Sequence, residues 1–206
     1  MNPSPQVQVR SLDAAEHEAA VDVLVGAFRT YPTTRWLVAP SLGAKDAALA
    51  ALIGFFLTAR RLRGEPVLGA FAGGRLAGVA LVSGSDGPSS DALDGHREAL
   101  WAELGAAARA RYEAYGAAAS AATAAVAGPR LHLNLLGTSP ACRGLGLGNA
   151  LVRHVLERAD AQGRTVTTTT EDAANVGFYE RHGFALLGTT ALGTDLTVWG
   201  LARSLG

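Results

Sequence analysis

The stretch that most constrains the fold is Ser139–Val152, SPACRGLGLGNALV, in which three glycines occupy alternate positions. It follows RLHLNLLGTS, an alternating strand pattern, and precedes an apolar run with helical periodicity that reaches about residue 162. A strand, a glycine turn and a helix N-terminus leave several backbone N–H groups unpaired beside the positive end of a helix dipole. The stretch therefore favours a phosphate or pyrophosphate site, the alternative being a tight turn without a ligand.

Two familiar phosphate loops do not fit this spacing. A dinucleotide-binding loop requires GxGxxG, but Asn149 stands where the third glycine would be. A nucleoside-triphosphate loop requires GK[ST] after four spacer residues, and no segment of the chain matches it. The spacing that the chain does have is Arg143-x-x-Gly146-x-Gly148.

The other segments alternate between strand and helix patterns, which is typical of a mixed α/β domain. Helices are predicted after a capping box at Asp13 and Glu16, in a short piece of RTYPTTRWLVAP, over 43–63, once or twice within 90–127, and in AANVGFYERHG. Strands are predicted at VQVRSL, on both sides of the Gly73-Gly74 turn, at RLHLNLLGTS and TVTTTTE, and at FALLGTTA and DLTVWGLA.

Composition limits the possible partners. A chain of 206 residues without an internal repeat or boundary predicts one domain over 1–206. A net charge of zero gives no electrostatic argument for binding nucleic acid or a membrane. Cys142 is the only cysteine, so neither an intrachain disulfide nor a cysteine-based zinc site can form, and we expect no metal. The N-terminus MNPSPQVQVR has no apolar signal core, and we expect a soluble, cytoplasmic monomer or homodimer.

Three blocks of the chain resemble the GNAT superfamily of N-acetyltransferases. Its pyrophosphate motif is Gln or Arg, two residues, Gly, one residue, then Gly or Ala, and SPACRGLGLGNALV fits it. A second block, NVGFYERHGF (Asn175–Phe184), looks like the family's later motif, and AFRTYPTTRWLVAP (Ala27–Pro40) looks like the puromycin N-acetyltransferase-like branch for small molecules. The resemblance implies a mixed, mostly antiparallel sheet of about seven strands, with splayed fourth and fifth strands and flanking helices.

The same resemblance implies the activity and the cofactor. We expect an N-acetyltransferase that transfers acetyl directly from acetyl-CoA to a primary amine of a small molecule, with a cofactor-binding core at about 129–190. The residues expected at the cofactor are Leu136, Gly137, Thr138, Arg143, Gly144, Leu145, Gly146, Leu147, Gly148, Asn149 and Asn175. Asn175 would bond the pantetheine or the fifth strand, or else serve only as a helix-start residue.

Tyr179 is the expected general acid for the departing thiolate, since an ordinary phenol has a pKa of about 10, near that of a thiol. Its alternative role is packing beside Phe178. Many relatives carry a glutamate base within the fifth strand, where this chain has Thr169. Glu171 lies two residues later on the same strand face, and is either the base or a solvated carboxylate at the strand end. His132 is the other candidate base, or a packed histidine.

The acceptor amine is expected between the N-terminal helices and the alanine-rich segment, because the fourth and fifth strands hold the cofactor. Tyr31, Arg35, Trp36 and Trp101 are the candidates for its wall, although either tryptophan could equally be a core residue. Two alternatives to a small-molecule enzyme stay open. One is a protein or peptide N-acetyltransferase, and the other is an acyl-CoA sensor without turnover.

Overall fold

The centre of the fold is a seven-stranded sheet. The structure, a computed structural model, describes residues 7–41, 44–84 and 91–204. The strands lie in the order β1-β2-β3-β4-β5-β7-β6, and β4 and β5 are parallel whereas the other neighbours are antiparallel. This agrees with the predicted mixed, mostly antiparallel sheet. The strands are β1 (Val7–Ser11), β2 (Val67–Ala72), β3 (Arg75–Gly84), β4 (Arg130–Thr138), β5 (Thr165–Thr170), β6 (Ala185–Leu192) and β7 (Leu196–Arg203).

Seven α-helices of the described ranges flank the sheet. They are α1 (His17–Phe28), α2 (Pro32–Val38), α3 (Lys45–Leu62), α4 (Asp91–Leu104), α5 (Ala106–Ala122), α6 (Leu147–Ala161) and α7 (Val176–Glu180). Single 3-10 turns precede α1, α6 and α7. Parts of the sequence predictions lie outside the described residues: the N-terminal segment 1–6, and residues 43 and 90 at the starts of two predicted helices.

Local chemistry sets the boundaries of these elements. The predicted capping box is present before α1: Asp13 accepts from the backbone of Ala15, and Glu16 accepts from the backbone of Asp13 at 3.0 Å. Gly73 and Gly74 have φ of +57° and +77°, as a two-residue hairpin turn requires. The alanine-rich region forms two helices because Gly105, with φ +87°, breaks the chain between them.

The sheet is covered on both faces. Along β3, Ala80 and Val82 face the α6 side, while Val79 and Leu81 face the side of α1, α3 and α5. All four side chains are at most 4 % exposed. A strand buried on both faces explains the continuous apolar run that the sequence shows there.

Strands β4 and β5 separate halfway along their length. Their pairing runs from Arg130–Thr165 to Leu133–Thr168 and then ends, although β4 continues to Thr138. The separation starts at a β-bulge: Leu133 pairs with Val82 and Leu135 with Leu81, so Asn134 is an extra residue without a partner on β3. A bulge bends its strand, and this one turns β4 away from β5. The predicted splay is therefore confirmed.

Within the described residues, no helix is both long enough and apolar enough to cross a membrane.

Candidate active site

A cavity of about 580 Å³ fills the gap between β4 and β5. Its walls include the separated part of β4 and the end of β5, from Asn134 to Thr138 and from Thr168 to Asp172. From one side of the sheet Arg143, Asn175 and Tyr179 reach the cavity, and from the other side α1, α2, α3 and α5 close it. The cavity thus crosses the sheet and gives two ligands access to one point from opposite faces.

The glycine turn lies at the α6 side of this gap. Gly144 and Gly146 have φ of +82° and +77°, and an added Cβ at either position would meet no atom within 4 Å. Both glycines are needed for backbone conformation and leave open space in front of the turn. Gly146 is the N-cap of α6, so the first N–H groups of that helix have no partners inside the helix and lie next to this open turn.

The predicted cofactor residues divide into two groups. The first group lines the cavity and consists of Leu136, Gly137, Thr138, Arg143 and Asn175. The second group forms the turn and the first residues of α6, beyond the cavity lining: Gly144, Leu145, Gly146, Leu147, Gly148 and Asn149.

Gly137 and Asn149 each have a second structural role. A Cβ on Gly137 would lie 2.8 Å from Leu24 and 2.9 Å from Ala27, so this glycine also lets α1 pack on β4. The side-chain oxygen of Asn149 lies 3.0 Å from Nε2 of His182 on the segment after α7. The Asn149 side chain therefore ties α6 to that segment, and its backbone belongs to the first turn of α6.

Glu171 is a buried carboxylate at the end of β5, only 8 % exposed. Burial raises its pKa to about 7, and the nearby hydroxyls of Thr33, Tyr115 and Tyr31 offset part of that rise. Its Oε1 has no hydrogen-bond partner of normal geometry among the described residues. The alternative of a solvated strand-end carboxylate is therefore wrong, because helices α2 and α5 cover this residue.

Tyr31 fixes the backbone at this position. Its phenol oxygen accepts the backbone N–H of Glu171 at 2.9 Å and lies 2.8 Å from Oγ1 of Thr170. Asn175 donates to the same Thr170 hydroxyl at 3.1 Å. The sequence prediction that Asn175 bonds the fifth strand is confirmed. Asn175 also stands at the N-cap position of α7, as its alternative role as a helix-start residue predicted, but its side chain makes no capping hydrogen bond there, and Asp172 caps the preceding 3-10 turn.

Tyr179 lies across the gap on α7 and is 7 % exposed. Its ring packs edge-on against Phe178 and Phe184, with centroids 5.1 Å and 5.4 Å apart. Burial raises the pKa of its phenol to about 12. The hydrogen bond of the Thr168 hydroxyl lowers this pKa, and the negative charge of Glu171 raises it further. The phenol therefore keeps its proton at neutral pH, and its edge at the cavity gives that proton a route to a ligand.

His132 lies where β4 and β5 are still paired. Its Nδ1 is 3.0 Å from the hydroxyl of Thr167, and burial lowers its pKa to about 4, with the charges of Arg60 and Arg130 acting in the same direction. A neutral imidazole of such low basicity is a weaker proton acceptor than Glu171.

The four residues predicted for the acceptor wall separate in the structure. Tyr31 lines the cavity, whereas Arg35 is exposed on α2 and outside the lining. Trp36 stacks under Arg111, whose guanidinium lies 5.1 Å from its ring centroid. Trp101 is 7 % exposed and packs behind Tyr112, with centroids 5.2 Å apart. Neither tryptophan lines the cavity, because both fill the core behind its wall.

Several lining residues were not among the sequence candidates: Thr33, Phe56, Arg60, Tyr112, Tyr115 and Asn134. Tyr112 and Tyr115 are the only aromatic residues of α5, and their spacing of three puts them on one face of a helix that is otherwise mostly alanine. That spacing was the available signal. No sequence pattern pointed to Arg60 as a cavity residue, since it resembles any other basic residue near the C-terminus of a helix.

In the part of the chain that the structure describes, no group of three or more His, Cys, Asp or Glu side chains converges as a metal site would require.

Comparison with known proteins identifies the fold and the family. Residues 30–184 match the family model described as the acetyltransferase (GNAT) family. A Corynebacterium glutamicum structure described as histone acetyltransferase HPA2 and related acetyltransferase has 23% sequence identity and a TM-score of 0.71, covering 99% of this chain and 98% of that one. A Drosophila melanogaster polyamine N-acetyltransferase that forms N-acetylagmatine has 17% identity and a TM-score of 0.65, covering 97% and 100%.

A third structure, yncA from Salmonella typhimurium with its cofactor acetyl-CoA, has 20% identity and a TM-score of 0.56, covering 97% of this chain and 94% of that chain. At these identities the likeness concerns the fold. Among curated proteins, none matches the chain in sequence at a significant level. The family match covers well over half of the chain and contains the bulged β4, the glycine turn and Tyr179. The chain belongs to the acetyltransferase (GNAT) family.

Proposed function

We propose that the protein transfers the acetyl group of acetyl-CoA directly to the primary amine of a small molecule. The observation that carries the proposal is the buried Glu171 carboxylate at the wall of a cavity that crosses the sheet. Helices α1, α2, α3 and α5 enclose the acceptor side, and a cavity of about 580 Å³ suits a small ligand. A protein or peptide acceptor would need an open groove on this face. A sensor without turnover would have no use for a buried carboxylate opposite a protonated phenol.

The residues of the gap fit acetyl-CoA. The free N–H groups at the start of α6 and the guanidinium of Arg143 suit the pyrophosphate. The separated part of β4, residues 134–138, has no β5 partner and offers backbone groups to an extended pantetheine arm. When bound, acetyl-CoA would supply an activated thioester carbonyl. The residues of the chain then have to orient the amine, take its proton and protonate the departing sulfur.

Glu171 is the proposed general base. A base works best when its pKa lies near the working pH, and burial brings the pKa of Glu171 to about 7. The Tyr31 phenol holds the Glu171 backbone at 2.9 Å, which fixes where the carboxylate begins. The carboxylate accepts the proton of the amine, directly or through water. Thr169 cannot take this role because a hydroxyl of ordinary basicity does not accept a proton from an ammonium group.

Tyr179 is the proposed general acid. The Thr168 hydroxyl and the Phe178 and Phe184 rings hold its phenol at the cavity edge, on the side opposite α2. With its pKa raised to about 12, the phenol is fully protonated at neutral pH and has a proton on Oη to give to a thiolate. The raised pKa makes the phenol a weaker acid than the ordinary value would suggest. The contribution of Tyr179 to the rate therefore depends on how closely its phenol is held to the departing sulfur.

The segment Ala27–Pro40 forms the end of α1 and all of α2, and its residues Phe28, Tyr31 and Thr33 line the cavity. This arrangement supports, as a proposal, the puromycin N-acetyltransferase-like branch for the acceptor side. A cytoplasmic location is proposed with it.

The test is release of CoA thiol from acetyl-CoA with a panel of primary amines. The wild-type protein should turn over at least one amine, and Glu171→Gln should lower kcat/KM at least a hundredfold. Glu180→Gln is the matched control, because Glu180 is exposed on α7 and lies outside the cavity lining. Equal activity of the two variants would remove Glu171 from the mechanism. No turnover of any amine by a protein that binds acetyl-CoA would favour the sensor.

A further inference from the structure

The acceptor side of the cavity carries opposite charges at its two ends. Glu171 stands at the end of β5. Arg60, from the C-terminal part of α3, lines the cavity near His132, whose pKa its charge helps to lower. His132 pairs with Thr167, and the four residue steps from Thr167 to Glu171 span about 13 Å of extended chain. A ligand of moderate length can therefore touch both ends.

Arg60 is a buried cation with bonding capacity to spare. It is 7 % exposed, its Nη1 bonds Oε2 of Glu65 at 2.8 Å, and its Nε has no hydrogen-bond partner among the described residues. Glu65 is outside the cavity lining, and its other oxygen accepts the backbone N–H of Gly84 at 2.8 Å. The counter-charge thus lies behind Arg60, and the guanidinium is the charged group that meets the cavity.

Two further arginines act on Tyr112 from outside the cavity lining, Arg63 and Arg97, and Arg97 is ion-paired with Asp94. Burial raises the pKa of the Tyr112 phenol, while the charges of Arg60, Arg97 and Arg63 act against that rise. The wall between the two ends is aromatic and aliphatic, with Phe56, Tyr112 and Tyr115 among its members. A ligand in this space would lie along ring faces and edges.

The other carboxylates of the lining are already committed. Glu113 is exposed and bonds Nε of Arg109 at 2.9 Å. Asp172 caps the turn before α7 by accepting from Ala174 at 3.0 Å. Within the described lining, Glu171 is therefore the carboxylate free to meet an ammonium group, and no second one stands at the Arg60 end.

We propose that the acceptor is an aromatic or apolar primary amine that carries a carboxylate at its other end, and that polyamines and guanidino amines are rejected. The amine would lie at Glu171, the apolar middle along the tyrosine wall, and the carboxylate at Arg60. A second cation at the Arg60 end would meet like charge in a buried site, which is costly. This inference deepens the proposed function and rests on it.

Three amines of one shape test the proposal. They are 4-(3-aminopropyl)benzoate, 3-(4-methylphenyl)propylamine and 3-[4-(aminomethyl)phenyl]propylamine, which end in an anion, a neutral methyl group and a cation. Calorimetry on the full chain with saturating CoA should show the benzoate binding at least tenfold more tightly than the diamine, with the methyl compound between them. A diamine that binds as tightly as the benzoate would overturn the proposal, and so would failure of all three to bind.

Two variants assign the preference to Arg60. Arg60→Met with Glu65→Gln removes the ion pair as a unit, so that no unpaired buried charge is left, and should abolish the preference for the benzoate. Arg60→Lys keeps the charge and should retain most of the preference. Persistence of the preference in the folded double variant would refute the role of Arg60. Turnover is a separate readout: acetylation of any of the three amines supports the proposed function whatever their order, while ordered binding without acetylation of any contradicts the proposed function alone.

Discussion

The phenol oxygen of Tyr31 accepts the backbone N–H of Glu171 at 2.9 Å, across 140 positions of sequence. This bond joins the turn between α1 and α2 to the end of β5, and therefore joins the acceptor side of the cavity to the proposed base. The ring of Tyr31 is held in turn by Phe28, edge-on with centroids 5.4 Å apart.

Tyr31→Phe removes that bond and keeps the ring contact. We expect the acceptor KM to rise and kcat to fall, so that kcat/KM drops at least about fivefold, because a lost bond to a buried backbone N–H costs about 1–3 kcal/mol and lets Glu171 shift. Acetyl-CoA affinity, measured by calorimetry, should stay unchanged. Tyr112→Phe is the comparison: it removes a hydroxyl from the same cavity without breaking a hydrogen bond within the described residues, and should have a smaller effect. A Tyr31→Phe enzyme with unaltered acceptor kinetics would contradict the anchoring role.

Glu171 should control the pH dependence of the rate. The base must be deprotonated, and burial raises its pKa to about 7, so kcat/KM should rise with pH and show an inflection near 7. The Glu171→Gln profile should lack that inflection and follow only the ionisation of the amine. Identical profile shapes for both proteins would rule out Glu171 as the titrating group.

The same pKa has a consequence for stability. Because the folded pKa lies above the ordinary carboxyl value, the protonated form stabilises the fold below pH 4–5, and this contribution is lost as the pH rises through about 7. The unfolding free energy of the wild type should fall by up to a few kcal/mol between pH 5 and 8 relative to Glu171→Gln. Urea denaturation at several pH values measures the difference. A wild type that gains stability over this range relative to the variant would contradict the raised pKa.

Gly146→Ala tests the glycine turn against a matched control. Gly146 and Gly74 share a φ of +77°, and an added Cβ at either meets no atom within 4 Å, so both substitutions to Ala impose the same backbone strain of about 1–2 kcal/mol. Only Gly146 lies at the start of α6. We expect CoA affinity to fall at least tenfold, or about 1.4 kcal/mol, in Gly146→Ala and to be unchanged in Gly74→Ala. Equal affinities of the two folded variants would place the pyrophosphate elsewhere.

Tyr179→Phe removes the proposed acid with little loss of volume. Turnover should fall about a hundredfold while acetyl-CoA affinity is kept, because the ring still packs on Phe178 and Phe184. Stopped-flow measurement of thiol release gives the rate of the step directly. Wild-type release by the variant would mean that water protonates the thiolate.

Periodicity and turn chemistry were enough to predict most of the fold, because they act over a few residues. The Asp13–Glu16 capping box and the Gly73-Gly74 hairpin are examples in which neighbours along the chain settle the structure. The splay of β4 and β5 followed from the family resemblance, but its cause did not. The bulge at Asn134 depends on how two strands some fifty residues apart are paired.

The site was only partly predictable for the same reason. Glu171 could be named from its spacing, but its burial comes from Thr33 on α2 and Tyr115 on α5, which no local pattern brings to β5. The two tryptophans were attractive as aromatic walls, yet Tyr112 lies in front of Trp101. Which ring of a stacked pair faces a cavity is decided by tertiary packing, and a single sequence does not record it.

The separation of β4 from β5 should be visible in the amide hydrogen exchange of β4, even without a substrate. Those amides of residues 134–138 that point away from β3 have only solvent to bond in the gap, whereas the amides of Leu131 and Leu133 lie in the paired part of the sheet. Among the amides on the β5 side of this strand, hydrogen exchange should therefore be slow up to Leu133 and fast from Asn134 onward, while the amides bonded to β3 stay slow in both halves. An extended ligand arm in the gap would make the two halves alike, so that the exchange pattern of a single strand reports occupancy of the whole site.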